Sequence, residues 1–482
     1  MKYDSVVIGS GITGLTSALV LAQHGHRVAV VEKNRLIAPL LRRFKRGNVW
    51  CDPGFHYSGG FEESGPLSVL LRYLRMRDDI RSLPMANDGY DILYSNDREI
   101  PIPCGLERVS DVLCTNFPRS KNAIIMYIKK VKSIMEATPF VNFDIEWSDF
   151  EKKSQDTESL GSYLDSVGSE EDLKELLGQY GRYLYGTSAG EVPLSIHALV
   201  MGSFYRAPQT LVNGGDELVD AYEKRLKQEG VDLFNNNPAI KVEVDGNRKV
   251  KAVKMGNGEM LECDQCISTI HPSLLADILP GDAIRPAYLS RLRGLENTNA
   301  PFAVYLELDQ LPEKIAWSNL YRLNRLTDKS FGIMACAPTE YDNKKKGLCI
   351  LKESPANTLP KELYNSHKQT SAYLEYKQEE TDNIVSQFKE FLPEVTGSVK
   401  VVASATPYTY ERYTGTPNGS MYGVKQSVDQ IKLSSITAIR GFYLAGQSIH
   451  LPGIMGGVIS GFLGASNILG LKTIWNKVRE CR

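Results

Sequence analysis

His56 and Tyr57 stand side by side in a glycine-rich run, Asp52–Gly60, and are the pair best suited to handing over a proton. Tyr413 and Tyr422 lie in a second stretch, Thr406–Lys425, rich in glycine and proline. His56 reads equally as a proton donor and as a side chain that holds its loop. The tyrosines read as packing residues or as walls of a substrate site. No catalytic triad, paired-carboxylate motif or metal-ligand spacing accompanies them. Such side chains bind, orient and move protons; electron transfer needs a bound group.

The start of the chain offers a place for one. Val6-Val7-Ile8 is a short apolar strand, and Gly9-Ser10-Gly11-Ile12-Thr13-Gly14 follows at once. A small apolar helix then runs to Ala22, Gly25 ends it, and Val28–Val31 forms a second strand that stops at Glu32. This is a βαβ unit with the G-x-G-x-x-G fingerprint of dinucleotide binding. Gly9 permits the tight turn, Gly11 lets a pyrophosphate approach the backbone, and Gly14 lets helix and sheet pack closely. The helix N-terminus offers free N–H groups and a positive dipole end. Glu32 can accept hydrogen bonds from ribose hydroxyls and would repel a 2′-phosphate, which disfavours NADP. Lys33 follows it, and Arg42 in the basic run Leu40–Lys45 is a further phosphate candidate; a solvated basic face explains that run as well.

Basic and acidic residues nearly cancel, 56 against 57, so nothing points to nucleic acid or a strongly charged partner. The 8 cysteines are scattered, as in a reducing compartment, and Cys263 and Cys266 fall in a strand without a second pair to complete a zinc set. The first strand begins so near Met1 that a signal peptide has no room, which suggests a cytoplasmic protein. Asp91–Tyr94 and Glu99–Ile102 suggest a hairpin. Asn116–Tyr205 is mostly helical, with Ile124, Tyr127, Ile128, Val131 and Ile134 at helical spacing. After Asn213-Gly214-Gly215 an amphipathic helix runs over Glu217–Gln228. Ala239–Val244 and Lys249–Met255 form a ribbon around Asp245-Gly246. Phe302–Leu308 alternates as a strand of a second sheet, to which Gly332–Cys336, Leu348–Leu351 and Val399–Ala403 can add. Asn343–Gly347 is a charged turn. Near the C-terminus, Gly441–Leu444 is a buried strand, Gly446-Gln447-Ser448 a turn, and Leu451-Pro452-Gly453 opens a glycine-rich helix, Ile454–Leu471, read as buried rather than membrane-spanning.

Taken together, Gly9–Glu32, Asn213-Gly214-Gly215 with its helix, and Gly446–Gly457 resemble the FAD-dependent phytoene desaturase group. Phe55-His56-Tyr57 and Arg412–Gly415 through Gly419–Gly423 are most similar to its carotenoid isomerase and retinol saturase branch. The resemblance spans nearly the whole chain. It implies an α/β protein, a Rossmann-type FAD-binding domain with an α+β substrate domain inserted. FAD adenosine would sit on the first βαβ unit, flanked by the backbone of Ala239 and Ile240. Gly446, Gln447, Gly453, Ile454 and Met455 would hold the ribityl and the isoalloxazine edge. Two positions depart from the group. Ile37-Ala38-Pro39 stands where a Gly-Gly pair is usual, and Gln447 where Asp is frequent.

Residues 1–60, 211–285 and 436–482 are expected to form the FAD domain, with 61–210 and 286–435 the substrate domain. The expected activity is redox or isomerisation chemistry on a C=C bond of an apolar isoprenoid, with His56 and Tyr57 beside the flavin and Tyr413 and Tyr422 around the substrate. Two alternatives stand beside it. One is a flavin amine oxidase with Tyr413 and Tyr422 caging the amine; the other is a flavin-bound scaffold without turnover at a membrane. A polyene substrate suggests peripheral membrane contact, for which the tail Lys472–Arg482, with Trp475 and Val478, is the candidate; docking of that tail on the FAD domain is the other reading.

Overall fold

The computed structural model describes residues 1–146, 158–281, 283–323, 330–336, 347–354, 370–395, 399–430 and 432–482. Strand β1 (Lys2–Ile8), helix α1 (Ile12–Ala22) and strand β2 (Val28–Val31) form the expected βαβ unit. β1 and β2 pair in parallel, Ser5 opposite Val28 and Ile8 opposite Val31. Every residue of β2 is buried, which is why it reads as an unbroken apolar run. β1 is central in a seven-stranded sheet of order Ala239–Val244, Val250–Met255, Met260–Ser268, β1, β2, Asp232–Phe234; Phe442–Leu444 also pairs with Met260–Ser268. Strands from three distant parts of the chain therefore meet at one carboxyl edge, where α/β sheets bind ligands.

The second sheet also has seven strands, in the order Val399–Ala405, Ala300–Leu308, Gly347–Ser354, Phe331–Ala335, β4 (Asn319–Arg322), β3 (Asp91–Ser95), Arg98–Ile102. The expected hairpin of β3 with the strand Arg98–Ile102 exists and is the end of this sheet. Its junction with β4 is parallel, Asn319 opposite Asp91 and Tyr321 opposite Leu93, a pairing the sequence pattern does not announce. One face is packed by helix Ser371–Phe391 through Ile384 and Phe388. Residues 343–346 of the charged turn lie outside the described residues. Helix Lys121–Glu136 buries Ile124, Tyr127, Ile128 and Val131 as their spacing demands.

Thr406–Lys425, rich in glycine and proline, nonetheless contains a helix, Pro407–Thr414. Thr406 and Thr409 form a reciprocal capping box, and Pro407 occupies the first turn. The C-terminal glycine-rich helix, α2 (Gly453–Leu469), ends earlier than its pattern suggests. Gly470, at φ 87°, turns the chain into a separate helix, α3 (Leu471–Arg479).

α1 and α2 lie against each other with almost nothing between them. A Cβ on Gly461 would stand 2.5 Å from Thr16 Cβ, and one on Gly457 2.6 Å from Ile12 Cγ2. Closeness lets Thr13 Oγ1 donate to the Gly457 carbonyl at 2.9 Å and Ser17 Oγ to that of Gly461 at 3.1 Å. Gly14 meets the same demand on the other side of α1, where a Cβ would fall 2.0 Å from the Gly9 carbonyl oxygen. Gly461→Val inserts three carbons into this seam. It should lower unfolding free energy by about 3 kcal/mol, read as an earlier denaturant midpoint with an unchanged slope; wild-type stability would show that the helices can part without loss.

Candidate functional site

A cavity of about 650 Å³ runs from the carboxyl edge of the first sheet to the face of the second. Gly9–Thr13, Glu32, Lys33 and Asn34 line one end; Tyr57, Tyr183, Phe204, Tyr321 and Met334 line the other. Gly11 is the N-cap of α1 and no side chain caps that helix. A Cβ at Gly11 would meet nothing within 4 Å, so the backbone there faces open space. The N-terminus of α2 is uncapped in the same way, and Gly453, Ile454 and Met455 line the cavity from it. Two helix N-termini thus turn their free N–H groups and positive dipole ends towards one space, an arrangement suited to a bound anion or an electron-rich ring.

Glu32 is buried at this end and takes four donors. Ser10 N and Oγ reach Oε2 at 3.0 and 2.5 Å; Asn34 N and Nδ2 reach Oε1 at 2.7 and 2.8 Å. Ala38 follows with φ 46°, a left-handed conformation, and its N–H donates to Ser10 Oγ at 3.2 Å. Ala38 thus takes a conformation that favours glycine with a side chain present. Lys33 lines the cavity, and its Nζ donates to the Arg412 carbonyl at 2.9 Å. Burial lowers the pKa of its ammonium.

Two expected contacts are elsewhere. Arg42 does not line the cavity: its guanidinium is held by Asp216, Asp220 and Glu223 on helix Gly215–Gln228. Pro238 and Ala239 line the cavity and Ile240 does not: it stands at an irregularity in the strand pairing between Ala239 and Lys241, with its side chain exposed. Gly446 and Gln447 do line the cavity. Gly446 adopts φ 126° and its N–H donates to Ser460 Oγ at 2.7 Å, which ties the turn to α2.

His56 lines the cavity with both ring nitrogens buried and without hydrogen-bond partners. Burial depresses its pKa to about 4, so the ring is neutral at pH 7 and does not enter as an imidazolium acid. A buried neutral imidazole with two free nitrogens is a contact awaiting a polar group of a ligand. Tyr57 lines the cavity as well, and its hydroxyl donates to Asp91 Oδ2 at 2.6 Å and meets Tyr321 OH at 2.9 Å. Tyr422 is half-buried and donates to the Tyr183 carbonyl at 2.8 Å. Tyr413 is 47% exposed, and its carbonyl accepts from Asn34 Nδ2 at 2.8 Å, which puts it at the Glu32 end. Both tyrosines line the cavity. Asp91, Tyr180, Asn319 and Tyr321 were not legible as site residues, since Asp91 finds its partners 34, 89 and 228 positions away.

The tail is corrected too. Ile474, Trp475 and Val478 are fully buried, Trp475 against Phe140 and Phe143. Arg479 pairs with Glu146 and Arg482 with Asp144. The apolar face is therefore packed inside the protein and does not meet a lipid surface, while Arg482 stays half-exposed beside Asp144. Among the described residues, no helix is long and apolar enough to cross a membrane.

A Rossmann-type sheet with a glycine cradle at its carboxyl edge, joined to a second sheet walling a largely apolar chamber, defines the fold of flavin-dependent oxidoreductases. The chain belongs to the flavin containing amine oxidoreductase family, whose model matches residues 12–469. It is 22% identical to the all-trans-retinol 13,14-reductase of Danio rerio over 97% of this chain and 86% of that protein. It is 24% identical to the chloroplastic prolycopene isomerase of Daucus carota, over 98% and 81%. In fold it is similar to an oxidoreductase from Methanosarcina mazei, with a TM-score of 0.69 and 15% identity over 97% of this chain and 100% of that one.

Two outcomes follow. Ala38→Gly should raise stability by about 1 kcal/mol, because glycine takes the left-handed conformation without the Cβ clash; a destabilised variant would show that the buried methyl matters more. His56 is neutral when folded and protonates near 6.5 when unfolded, so its contribution to stability is lost as pH falls from about 6.5 towards 4. His56→Asn should flatten the acid limb of stability against pH by up to one proton, about 1.4 kcal/mol per pH unit. Urea unfolding of flavin-free protein across that window measures it, and an unaltered limb would place the proton elsewhere.

Proposed function

We propose that this protein binds FAD and acts as an oxidoreductase on a C=C bond of an apolar polyene or retinoid. The observation that carries this reading is the character of the far chamber. Its walls include Tyr183, Leu184, Val200, Phe204, Met334 and Leu351, and the charged residues lining the cavity, Glu32, Lys33 and Asp277, are not among these walls. An amine substrate would call for a carboxylate lining this chamber, and Glu32 and Asp277, the lining carboxylates, are not among its walls. The similarity to a retinol reductase and a prolycopene isomerase supports the same choice.

FAD, when bound, supplies the two-electron chemistry. The backbone at Gly9–Thr13 would hold its pyrophosphate, and Gly446, Gln447 and Gly453–Met455 its ribityl and ring edge. Glu32 already has each of its lone-pair directions taken by a protein donor. A ribose diol would reach it by replacing the side-chain donors Ser10 Oγ and Asn34 Nδ2, while the two backbone donors stay. His56, with both nitrogens free, would hydrogen-bond the flavin or a polar group of the substrate. The apolar chamber would align the polyene and keep water away from the reacting carbons. Residues 1–60, 211–285 and 436–482 would make the FAD domain, and 61–210 and 286–435 the substrate domain.

Glu32→Arg should strip FAD from the purified protein, and a chain ending at Arg440 should not retain it although the fingerprint is intact; full occupancy in either would remove that segment from the site. Anaerobic mixing with all-trans-retinol, a carotene and a panel of amines tests the substrate class. A polyene or retinoid should perturb the flavin spectrum and be converted. Rapid bleaching by an amine, with the polyenes inert, would overturn the assignment.

A further inference from the structure

Asp91 opens β3 and is wholly buried. Tyr57 OH and Tyr180 OH donate to its Oδ2 at 2.6 and 2.5 Å, and Asn319 Nδ2 donates to Oδ1 at 2.7 Å. Among the described residues no cation pairs with it. Tyr57 OH continues to Tyr321 OH at 2.9 Å. Tyr57 and Tyr321 line the cavity, whereas Asp91 and Tyr180 do not. The three hydroxyl-bearing groups therefore make a continuous hydrogen-bonded chain, from a hidden carboxyl group to the wall of the chamber.

We propose that Asp91 is a proton store and that Tyr57 and Tyr321 connect it to the double bond of the substrate. The inference rests on the C=C reading above and names how that site would handle its proton. Saturation of a double bond adds two hydrogens. One of them would come with both electrons from a bound flavin, and the other is a bare proton. Tyr321 OH gives that proton to the second carbon as its C–H bond forms from the π pair. When Asp91 carries its proton on Oδ2 the hydrogen bond to Tyr57 is reversed and the acid donates; Tyr321 oxygen takes a proton from Tyr57, and Tyr57 takes one from Asp91, which is left as the carboxylate that accepts from Tyr57. Each phenol gives one proton and receives one, so only Asp91 changes charge. Dehydrogenation runs the chain backwards and leaves the proton on Asp91. Tyr321 is then the catalytic residue at the chamber wall, and Asp91 acts through it.

The surroundings suit a store. Burial without a cation disfavours the carboxylate, and its pKa is pushed up to about 6 despite the three donors. Beyond Tyr57, Tyr180 and Tyr321, the titratable groups facing it are Tyr90, Tyr205 and Cys104. Burial raises all of these away from neutrality, so Asp91 is the one group of the cluster that exchanges a proton near pH 6.

Infrared difference spectroscopy of the flavin-free protein tests the store without turnover. A protonated-carboxyl band should fade as pH rises through about 6 and be missing in Asp91→Asn. Tyr180→Phe, which removes one donor to the charged form and leaves the chain to the chamber intact, should move that fading upwards by about one pH unit. With all-trans-retinol and reduced holoprotein, conversion should decline above the same pH, and Tyr180→Phe should carry the decline upwards with the band. Tyr321→Phe should lower conversion about 100-fold while retinol still perturbs the flavin spectrum. Absence of a titrating band sensitive to Asp91, or full conversion by Tyr321→Phe, would overturn the proposal. A wild-type protein that converts no polyene while the band titrates as expected would instead count against the C=C reading and leave Asp91 a proton store for another reaction.

Discussion

The structure depends on the contact between α1 and α2. It joins the βαβ unit near the beginning of the chain to the glycine-rich helix near its end, and it works only because Gly457 and Gly461 leave room for Ile12, Thr13 and Thr16. Backbone approach this close gains dispersion along the whole seam, and two hydroxyl–carbonyl hydrogen bonds fix its register. The same seam sets the distance between the two helix N-termini. Both ends of the cradle are consequently held by one rigid pair, with the turn at Gly446 tied to it through Ser460.

Around that pair the cavity divides by polarity. At the Glu32 end, backbone N–H groups, a carboxylate and an ammonium group surround the space. At the second sheet, tyrosines and aliphatic side chains do, and the carboxyl group of Asp91 lies behind three neutral donors. A low-dielectric wall makes each remaining polar group count for more, which gives His56 its interest: its nitrogens are desolvated and have no protein partner.

Local features were legible. The glycine spacing Gly9–Gly14, the strand ending at Glu32 and the period of Lys121–Glu136 each declare themselves within a few turns, because backbone sterics and side-chain period act locally. What depended on distant pairing was not. Arg42 in a basic run looks like a phosphate ligand until the helix carrying Asp216, Asp220 and Glu223 is laid beside it; those acids stand on one helical face, and the pattern is visible once the two segments are known to meet. The amphipathic period of the tail is the same whether its apolar face meets lipid or protein, so only the packing of Trp475 on Phe140 and Phe143 decides it. The Asp91 cluster is the extreme case: a parallel pairing of β3 with β4 creates it, and nothing within either strand foretells the other.

The order of the first sheet has a consequence for biogenesis. β1 leaves the ribosome long before its neighbour Met260–Ser268, and α1 precedes the Gly457 carbonyl that Thr13 binds by 444 positions. At 5–20 residues per second, roughly 20 to 90 s separate the two partners during translation. Throughout that interval the face of α1 that meets Gly457 and Gly461 has no partner, although helix Gly215–Gln228, which reaches Thr16 through Tyr222, is made earlier. Closure of the cradle is therefore a late event, and until then that face of the emerging N-terminal segment leaves hydrophobic surface uncovered.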